Sequence, residues 1–291
     1  MTDDDKQQQL DALYQSWKTC QECKLCEHRT QSVFGQGSLT PKIVFVGDGP
    51  GREDDKLGVP FVSAAGTLLI QMLSEACPRE DVIGKMSEYR AAVKTLSEQQ
   101  DPSKRRHWVN VVDGLLMHLR GMLMQDIYFT NSVLCPPLKI DAEKRRPAEY
   151  REPDASEYQA CLARLQYQIY TLDPVLIVAA GGAALSALTG KKQGAQRTRG
   201  ILQSVVIPGR LGPVNYSVLP ILSPAFLLKN DDRAEKRGKM YTAYRDLTQM
   251  FAIAYGVESV SRNQPHLRYL DGDDKWELST SMNSTALRQI G

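Results

Sequence analysis

The chain has 291 residues, of which 42% are hydrophobic and 24% are charged, and its formal net charge is +2 at pH 7. This length fits one large α/β domain or two small ones and can bury a substantial core, while the nearly balanced charge singles out no partner. We find no signal peptide and no apolar run long enough to cross a membrane, so we expect a soluble, cytoplasmic protein without a membrane partner.

An amphipathic helix is predicted over residues 4–18, where apolar side chains recur at helical spacing. It is followed by Cys20, Cys23 and Cys26 in a C-x-x-C-x-x-C run. In a cytosolic chain, clustered cysteines favour a metal over disulfides, and this spacing lets neighbouring thiolates face one centre, as in iron–sulfur and zinc sites. No second C-x-x-C follows, so a zinc ribbon is incomplete. His28 could complete a local site, although an ordinary loop residue is the simpler interpretation.

A buried strand is predicted at residues 43–46, and it runs into a glycine-rich loop at 47–51. In an open α/β sheet, ligands bind beyond the carboxyl ends of the strands, and glycines let the backbone turn tightly and approach a ligand. Asp48 in this loop is therefore a candidate functional carboxylate. On this stretch alone, an ordinary turn with a solvated Asp48 is favoured, because short motifs often match by chance.

Residues 58–61 introduce a helix predicted over 64–76. Phe61 lies beside the glycine-rich loop and can stack on a flat ligand, although a position in the core is equally plausible. Residues 78–125 carry no chemical motif. Two helices predicted at 89–99 and 107–124, separated by a basic break that contains proline, indicate an inserted helical hairpin.

A strand predicted at 127–130 ends in Asn131, whose amide offers a donor and an acceptor to a base edge. A turn-forming asparagine is about as common. A long polar loop is predicted over 135–153 and a helix over 154–172. Cys135 and Cys161 are isolated in the sequence, and by themselves they look like ordinary buried thiols.

Further strands are predicted at 175–179, 205–207 and 217–222, a basic helix at 232–255 and a loose polar tail from 257. Strands that alternate with helices indicate a three-layer α/β/α sandwich with a central, mainly parallel sheet. The ends of three strands would then bring Asp48, Asn131 and Ser223 to one edge of the sheet. A carboxylate, an amide and a Ser-Pro loop at one edge are more specific than any of them alone.

Positive charge is clustered although its sum is small. Basic residues concentrate at 104–106, 144–146, 191–199 and 229–239. Such clusters can follow a phosphate backbone, although solvated loops explain any one of them more simply. They are compatible with a nucleic-acid partner and do not establish one.

Five motifs occur in a fixed order. They are C-x-x-C before RTQSVFGQG (20–37), GDGPGRED (47–54), GVPFV with AGTLL (58–69), TNSVLC (130–135) and SPAFLL (223–228). Together they resemble the uracil-DNA glycosylase superfamily, most closely family 4, the iron–sulfur enzymes of bacteria and archaea. The resemblance runs from about Cys20 to about Tyr255 and is interrupted by residues 78–125. The number and order of the motifs make chance a poor explanation.

The resemblance implies a [4Fe–4S] cluster. Its ligands would be Cys20, Cys23, Cys135 and Cys161, while Cys26 and Cys77 fall outside the family pattern. Such a cluster would be structural, because it would pin the N-terminal segment and the 135–161 loop to the core.

The resemblance also implies roles for the strand-end residues. The loop at Asp48 would position the attacking water or stabilise the positive sugar that forms as the glycosidic bond breaks, and Gly47 and Gly49 would bind the base. Phe61 would stack on the base and Asn131 would read its Watson–Crick edge. The enzyme would flip the nucleotide out of the stack because the bond is unreachable inside the duplex.

The last motif would contact DNA. Pro224 with Phe226 or Leu227 would enter the groove as an apolar wedge, and basic runs near Lys144 and Lys229 would hold phosphates. Ser223 is the candidate donor to the departing base. No lysine that could form a Schiff base lies in a matched motif, so we predict a monofunctional enzyme.

The catalytic motifs depart from the family pattern. Family 4 usually has Glu-Ala where this chain has Asp48 and Gly49, His where it has Ser223, and Gly where it has Ser63. The changes at the first two sites widen the expected pocket, and loss of the histidine removes a donor to the leaving base.

We therefore predict a DNA glycosylase that hydrolyses the N-glycosidic bond of a bulky, 5-substituted, phage-type pyrimidine, in anti-phage defence. The alternatives are an ordinary uracil-DNA glycosylase in base excision repair and a catalytically inactive DNA-binding module. We expect a monomer with one domain at 1–256, a helical insert at about 78–125 and a polar tail at 257–291.

Overall fold

The structure is a computed structural model that describes residues 1–141, 146–230 and 238–256. The predicted basic run at Lys144, the first part of the helix predicted at 232–255, and the tail at 257–291 lie outside the described residues. Within the described ranges, no helix combines the length and the apolar character that a membrane crossing requires.

A six-stranded sheet forms the centre of the fold. The described residues form the strands β1 (Gln36–Gly37), β2 (Ile43–Gly47), β3 (Ile127–Asn131), β4 (Leu138–Asp141), β5 (Arg146–Tyr150), β6 (Leu176–Ala180), β7 (Gln203–Gly209) and β8 (Gly212–Ile221), of which β4 and β5 lie in a separate sheet. The order in the sheet is β1-β3-β2-β6-β8-β7. Strands β3, β2, β6 and β8 run parallel, and β1 and β7 pair antiparallel at the edges. The predicted mainly parallel sheet is confirmed.

Helices cover both faces of the sheet. They are α1 (Asp3–Trp17), α2 (Arg52–Leu57), α3 (Ala64–Ala76), α4 (Glu80–Glu98), α5 (Pro102–Leu123), α6 (Ala155–Leu172), α7 (Gly182–Thr189), α8 (Ala195–Thr198), α9 (Pro224–Lys229) and α10 (Lys239–Tyr255). Helices α3, α4, α5, α9 and α10 share one core with Ile43 and Phe45 of β2. Helices α1, α6 and α7 share the other core with Val44 and Val46. Because successive strand residues face opposite sides, one apolar strand serves both layers, and the predicted three-layer fold is confirmed.

Two predicted elements need correction. The segment at 135–153 is not a plain loop, because β4 and β5 pair antiparallel as a small separate sheet with a register shift between Leu138 and Ile140. Its polar composition and its prolines lack the alternation that signals a strand. Helix α4 begins at Glu80, well before the predicted start at residue 89, because Val82 and Met86 are buried in the first core.

The α4–α5 hairpin corresponds to the predicted insert, and it is built into the first core. Val112, Leu119 and Leu123 of α5 are buried there with side chains of α3. Helix α5 starts at Pro102 behind an Asp101 N-cap, whose Oδ1 accepts from the Ser103 N–H at 2.9 Å. From its last turn, the Arg120 side chain reaches the backbone carbonyls of Pro60 and Phe61.

Candidate active site

A pocket opens at the carboxyl ends of the four parallel strands. Gly47 ends β2, Asn131 ends β3, Ala180 ends β6, and Ser223 follows β8. These residues and Asp48 line one cavity of about 460 Å³. The three polar residues expected at one sheet edge therefore share one pocket, in the position where open α/β sheets bind ligands.

Asp48 is buried and tied to helix α7. Its Oδ1 accepts from the Ala184 N–H at 2.8 Å, and its backbone carbonyl accepts from the Ser132 hydroxyl. The N-cap of helix α7 is Gly181, which has no side chain to accept a hydrogen bond from the first turn. Asp48, in the loop after β2, supplies this acceptor instead. A Cβ on Gly181, whose φ is +121°, would lie 2.0 Å from Asp48 Oδ2.

Burial raises the pKa of the Asp48 carboxyl to about 7, and the negative charge of Glu152 adds to the rise. The amides of Ala184 and Ala183 oppose it by hydrogen bonding to the carboxylate. A group with a pKa near the working pH is suited to general acid–base catalysis. Asp48 is therefore a buried residue, and the solvated turn residue that the sequence allowed as an alternative is excluded.

Asn131, Phe61 and Gly47 are in close contact at the floor of the pocket. Asn131 is 1% exposed, and its Nδ2 has no hydrogen-bond partner among the described residues. A Cβ on Gly47 would lie 2.4 Å from Asn131 Oδ1 and 2.7 Å from the Phe61 ring. Only glycine fits at position 47, and its absence of a side chain brings the amide and the ring together.

The Phe61 ring belongs to both the core and the pocket. It meets Phe45 edge-on at 5.5 Å between centroids, and Phe129 in a tilted arrangement at 5.8 Å. It also lines the cavity. The two alternatives that the sequence left open therefore apply together, because the core contacts hold one part of the ring while another faces the pocket.

The Ser-Pro loop continues directly into helix α9. Ser223 is its N-cap, with Oγ accepting from the Phe226 N–H at 3.2 Å, and Pro224 is its first residue. Ser223, Pro224 and Phe226 line the pocket, as does Leu228. Leu227 is the exception: it is 2% exposed and packs in the first core, so its side chain is not available as a wedge.

The β4–β5 hairpin supplies a wall of the pocket that sequence reasoning missed. The Tyr150 hydroxyl donates to the carbonyl of Gly49 at 3.1 Å. A Cβ on Gly49 would lie 2.9 Å from Val133 and 3.0 Å from Pro137, so the loop is tightly enclosed. Tyr150 was not singled out because its segment was predicted to be a loop. The sequence carries no periodic signal for it, because the hairpin is defined by pairing, such as that of Leu138 with Tyr150.

Five cysteines line a second, smaller cavity. They are Cys20, Cys23, Cys26, Cys135 and Cys161. The guanidinium of Arg29 lines the same cavity and donates to Cys135 Sγ at 3.2 Å. Within the described ranges, no set of three or more histidine, cysteine or acidic side chains forms a site for a metal ion. Cys77 lies elsewhere, in the core beneath α3 and α4.

Arg164 lies between this cavity and the active-site strand. It is 0% exposed, and its Nη2 donates to the carbonyls of Asn131 at 2.9 Å and Ser132 at 3.0 Å. Burial lowers the pKa of Arg164, and the neighbouring thiols of Cys161 and Cys135 oppose that shift. Its Nε has no partner among the described atoms. A buried cation is costly without a counter-charge, and thiolates at Cys161 and Cys135 would supply one.

The sequence model described as the uracil DNA glycosylase superfamily matches residues 34–248. The chain belongs to this superfamily. The match covers the strands, the pocket and the Ser-Pro loop, so the superfamily fold and the strand-end site coincide in one segment.

The chain is also similar to curated superfamily members named type-4 uracil-DNA glycosylase. It is 29% identical to the protein of Thermotoga maritima over 237 residues, which are 80% of this chain and 90% of that protein. For Saccharolobus solfataricus the identity is 25% over 221 residues, 76% of this chain and 78% of the relative. For Pyrobaculum aerophilum it is 26% over 223 residues, 76% of this chain and 85% of the relative. The predicted resemblance to family 4 and the predicted class, a hydrolytic DNA glycosylase, are confirmed.

Two buried arginines of this superfamily member escaped sequence analysis. Arg120 and Arg164 both lie on the apolar faces of their helices, α5 and α6. Their position next to apolar residues such as Leu119 and Leu165, which face the core, could have indicated them in the sequence. Charged residues on such a face are rarely buried without partners.

Proposed function

We propose that the protein is a monofunctional DNA glycosylase that flips a pyrimidine nucleotide into the pocket and hydrolyses its N-glycosidic bond, leaving an abasic site. The observation that carries the proposal is the unpartnered Nδ2 of Asn131, in the same pocket as Asp48. A buried donor without a partner costs about 1–3 kcal/mol. A pyrimidine with an exocyclic oxygen recovers that free energy when it binds.

Each residue of the floor has a task in this reaction. Phe61 stacks on the flipped base and Asn131 reads its Watson–Crick edge, with Gly47 and Gly49 admitting the base close to the backbone. Asp48 orients a water and takes its proton as the water oxygen bonds to the sugar carbon C1′. The C1′–N bond breaks, and its electron pair leaves with the base.

Ser223 stabilises the departing base. Its Oγ already accepts from the Phe226 N–H, but a hydroxyl has one donor in addition to its acceptor sites. The Ser223 proton is therefore free to reach an oxygen of the leaving base, where negative charge develops. Pro224 and Phe226, with Leu228 in place of Leu227, form the apolar surface that enters the groove.

The preferred base is a bulky, 5-substituted pyrimidine such as phage DNA carries, which suggests a role in anti-phage defence. The support is the size of the cavity, about 460 Å³, which extends past the floor to Ser63, Tyr150 and Arg151. Ordinary uracil removal in base excision repair is the second candidate, and the names of the relatives favour it.

A [4Fe–4S] cluster on Cys20, Cys23, Cys135 and Cys161 is the proposed cofactor. Thiolates that hold a four-iron cluster bind different iron atoms, so they need not form a site for one ion. All four line one cavity, and two guanidiniums, those of Arg29 and Arg164, adjoin these thiols. This donor set and this positive surrounding fit an anionic cluster. When bound, it would supply negative charge and cross-links between distant segments.

The remaining parts of the proposal concern the setting of the enzyme. DNA is the partner, the protein acts as a monomer in the cytoplasm, and residues 1–256 form one domain with α4 and α5 as an insert. Sedimentation of the protein with and without a short DNA duplex tests the monomer, because a dimer would double the protein mass in the free protein and in the complex.

A parallel assay on two DNAs tests the reaction. One duplex carries uracil and the other is phage DNA with bulky modified pyrimidines; the readouts are abasic sites and the released base by mass spectrometry. Release from the modified DNA alone supports the wide-pocket enzyme, and release from uracil DNA alone supports repair. No release from either DNA, together with tight DNA binding, would overturn the enzymatic proposal in favour of an inactive binding module.

A further inference from the structure

The ring of Phe61 is carried by a short segment, residues 60–63, that joins α2 to α3. Phe61 has φ 57°, in the left-handed region. Such a conformation is strained for a non-glycine residue, and it persists only when surrounding contacts hold it. We call residues 60–63 the Phe61 segment. Its contacts therefore decide where the stacking ring lies.

A buried cation holds the carbonyl side of the Phe61 segment. Arg120, in the last turn of α5, is 5% exposed. Its Nη1 donates to the Phe61 carbonyl at 3.0 Å and its Nη2 donates to the Pro60 carbonyl at 2.8 Å. The guanidinium also lies 5.5 Å from the centroid of the Phe129 ring, which itself contacts Phe61.

A buried anion holds the amide side of the same segment. Asp54 of α2 accepts through Oδ1 from the Val62 N–H at 2.9 Å and the Ser63 N–H at 3.2 Å. Its Oδ2 accepts from the Gly51 N–H at 3.1 Å. The segment thus lies between two buried charges of opposite sign, and each binds two of its backbone groups.

Helix α3 closes the third side. A Cβ on Gly66 would lie 2.1 Å from the Phe61 carbonyl oxygen, so α3 packs directly on the segment. The carbonyls of Pro60 and Phe61 are consequently enclosed by helices and depend on Arg120 as a donor. An apolar side chain at position 120 would leave both carbonyls without that donor, which is unfavourable for a buried polar group.

We propose that Arg120 is a positioning residue that fixes Phe61 for base stacking, which makes the α4–α5 hairpin part of the base-binding platform. The inference rests on the proposed function, because it assumes that Phe61 stacks on the base. Without Arg120, the segment is free to leave the left-handed conformation, and the ring moves with it. A misplacement of about 1 Å at a reacting site can cost about 10²-fold in rate.

The test compares Arg120→Met, Phe61→Ala and the double variant. Two readouts are used: kcat/KM on the better of the two DNAs, and quenching of a pyrrolocytosine placed at the target position of a duplex. Arg120→Met is expected to lose about 10²-fold in kcat/KM and most of the quenching. In the Phe61→Ala background, the same change is expected to have almost no further effect, because Arg120 acts through the ring.

Arg79→Met is the matched control. Arg79 also belongs to the hairpin region and donates to a backbone carbonyl, that of Met122, at 3.0 Å, but it does not touch the Phe61 segment. The Arg79→Met variant should have a lower midpoint of thermal unfolding and unchanged quenching of the pyrrolocytosine. Where Arg120→Met fails to fold, Arg120→Lys replaces it, since it retains the charge but not the two-pronged contact.

Three results are decisive in different ways. Equal losses from Arg120→Met in the wild-type and Phe61→Ala backgrounds would overturn the assignment, because they would show a general effect on stability. Unchanged kcat/KM and quenching in Arg120→Met, with both lost in Phe61→Ala, would also overturn it while leaving the proposed function intact. If Phe61→Ala itself loses neither, stacking on Phe61 fails, and the role of Arg120 fails with it.

Discussion

Asp48 Oδ1 and the Ala184 N–H are joined by a hydrogen bond of 2.8 Å that connects the loop after β2 to the first turn of α7. The carboxylate thus has a structural task as well as the proposed catalytic one. The two tasks separate by chemistry, because any side-chain oxygen can cap the helix, whereas only an ionisable group can take a proton.

Asp48→Asn is expected to remove catalysis and keep the fold. Asparagine retains an oxygen for the Ala184 N–H but cannot act as a base, so turnover should fall by about 10²–10⁴-fold. Asp48→Ala also loses the cap and should lower the free energy of unfolding by about 1 kcal/mol. Single-turnover kinetics and urea unfolding measure the two effects. Full turnover in Asp48→Asn would contradict the assigned role.

The raised pKa of Asp48 predicts opposite pH trends for activity and stability. The folded carboxyl keeps its proton up to a pKa of about 7, whereas the same carboxyl in the unfolded chain has its ordinary pKa of 3.8. Its contribution to stability is therefore complete below the lower value and is lost as the pH rises through the higher one. Turnover should rise as the folded carboxyl loses its proton, with a midpoint near pH 7. In Asp48→Asn, this pH dependence should be absent from both stability and turnover. The same pH dependence in the variant and in the wild type would refute the prediction.

Gly181→Ala should disturb Asp48 more than a strained backbone alone can explain. The new Cβ would lie 2.0 Å from Asp48 Oδ2 at a φ of +121°. Gly212→Ala is the control, because φ there is +128° and nothing lies within 4 Å of a Cβ. Both variants should lose about 1 kcal/mol or more of unfolding free energy, but only Gly181→Ala should lose turnover. Equal turnover in the two would show that the position of Asp48 is not critical.

Ser223→Gly and Ser223→Ala separate the cap of α9 from the proposed proton donor. Both remove the hydroxyl, so both should lower turnover to the same extent. Alanine at the N-cap costs about 1 kcal/mol of stability, whereas glycine costs only a few tenths. Thermal unfolding and kcat measured side by side check this. If turnover follows stability across the two variants, Ser223 acts as a cap alone.

The cysteine cavity predicts which thiols retain iron. Cys135→Ser should lose iron, acid-labile sulfide and visible absorbance, and its thermal midpoint should fall. Cys77→Ser should keep all of them, since Cys77 lies in a different core. Cys26→Ser should also keep them, although Cys26 lines the cavity. Retention of iron by Cys135→Ser, or its loss from Cys26→Ser, would change the ligand set.

The sequence predicted those parts of the molecule that follow one periodic rule. The run at 43–46 is buried on both faces, and parallel strands must end at one edge, so the convergence of Asp48, Asn131 and Ser223 could be foreseen. Their assigned roles stay predictions, since geometry alone does not measure chemistry.

Other features depend on contacts between distant segments. The β4–β5 hairpin has no alternating pattern and is defined by its pairing. Leu227 and Phe226 are neighbours of similar character, and only the orientation of α9 decides that Leu227 enters the core. Arg120 is charged on an apolar helix face, and its partners are backbone carbonyls of the Phe61 segment. Every residue has a backbone carbonyl, so the sequence does not show which carbonyls a buried arginine binds.

The floor and the walls of the pocket have different origins. Gly47 and Ala180 belong to the central strands, and their backbones are fixed by the ladder of the sheet. The walls come from α9 and the β4–β5 hairpin, which lie outside that sheet. Substitutions in these walls therefore leave the hydrogen-bonded ladder of the central sheet in place. The floor of the pocket can thus stay the same while the shape of the wall differs.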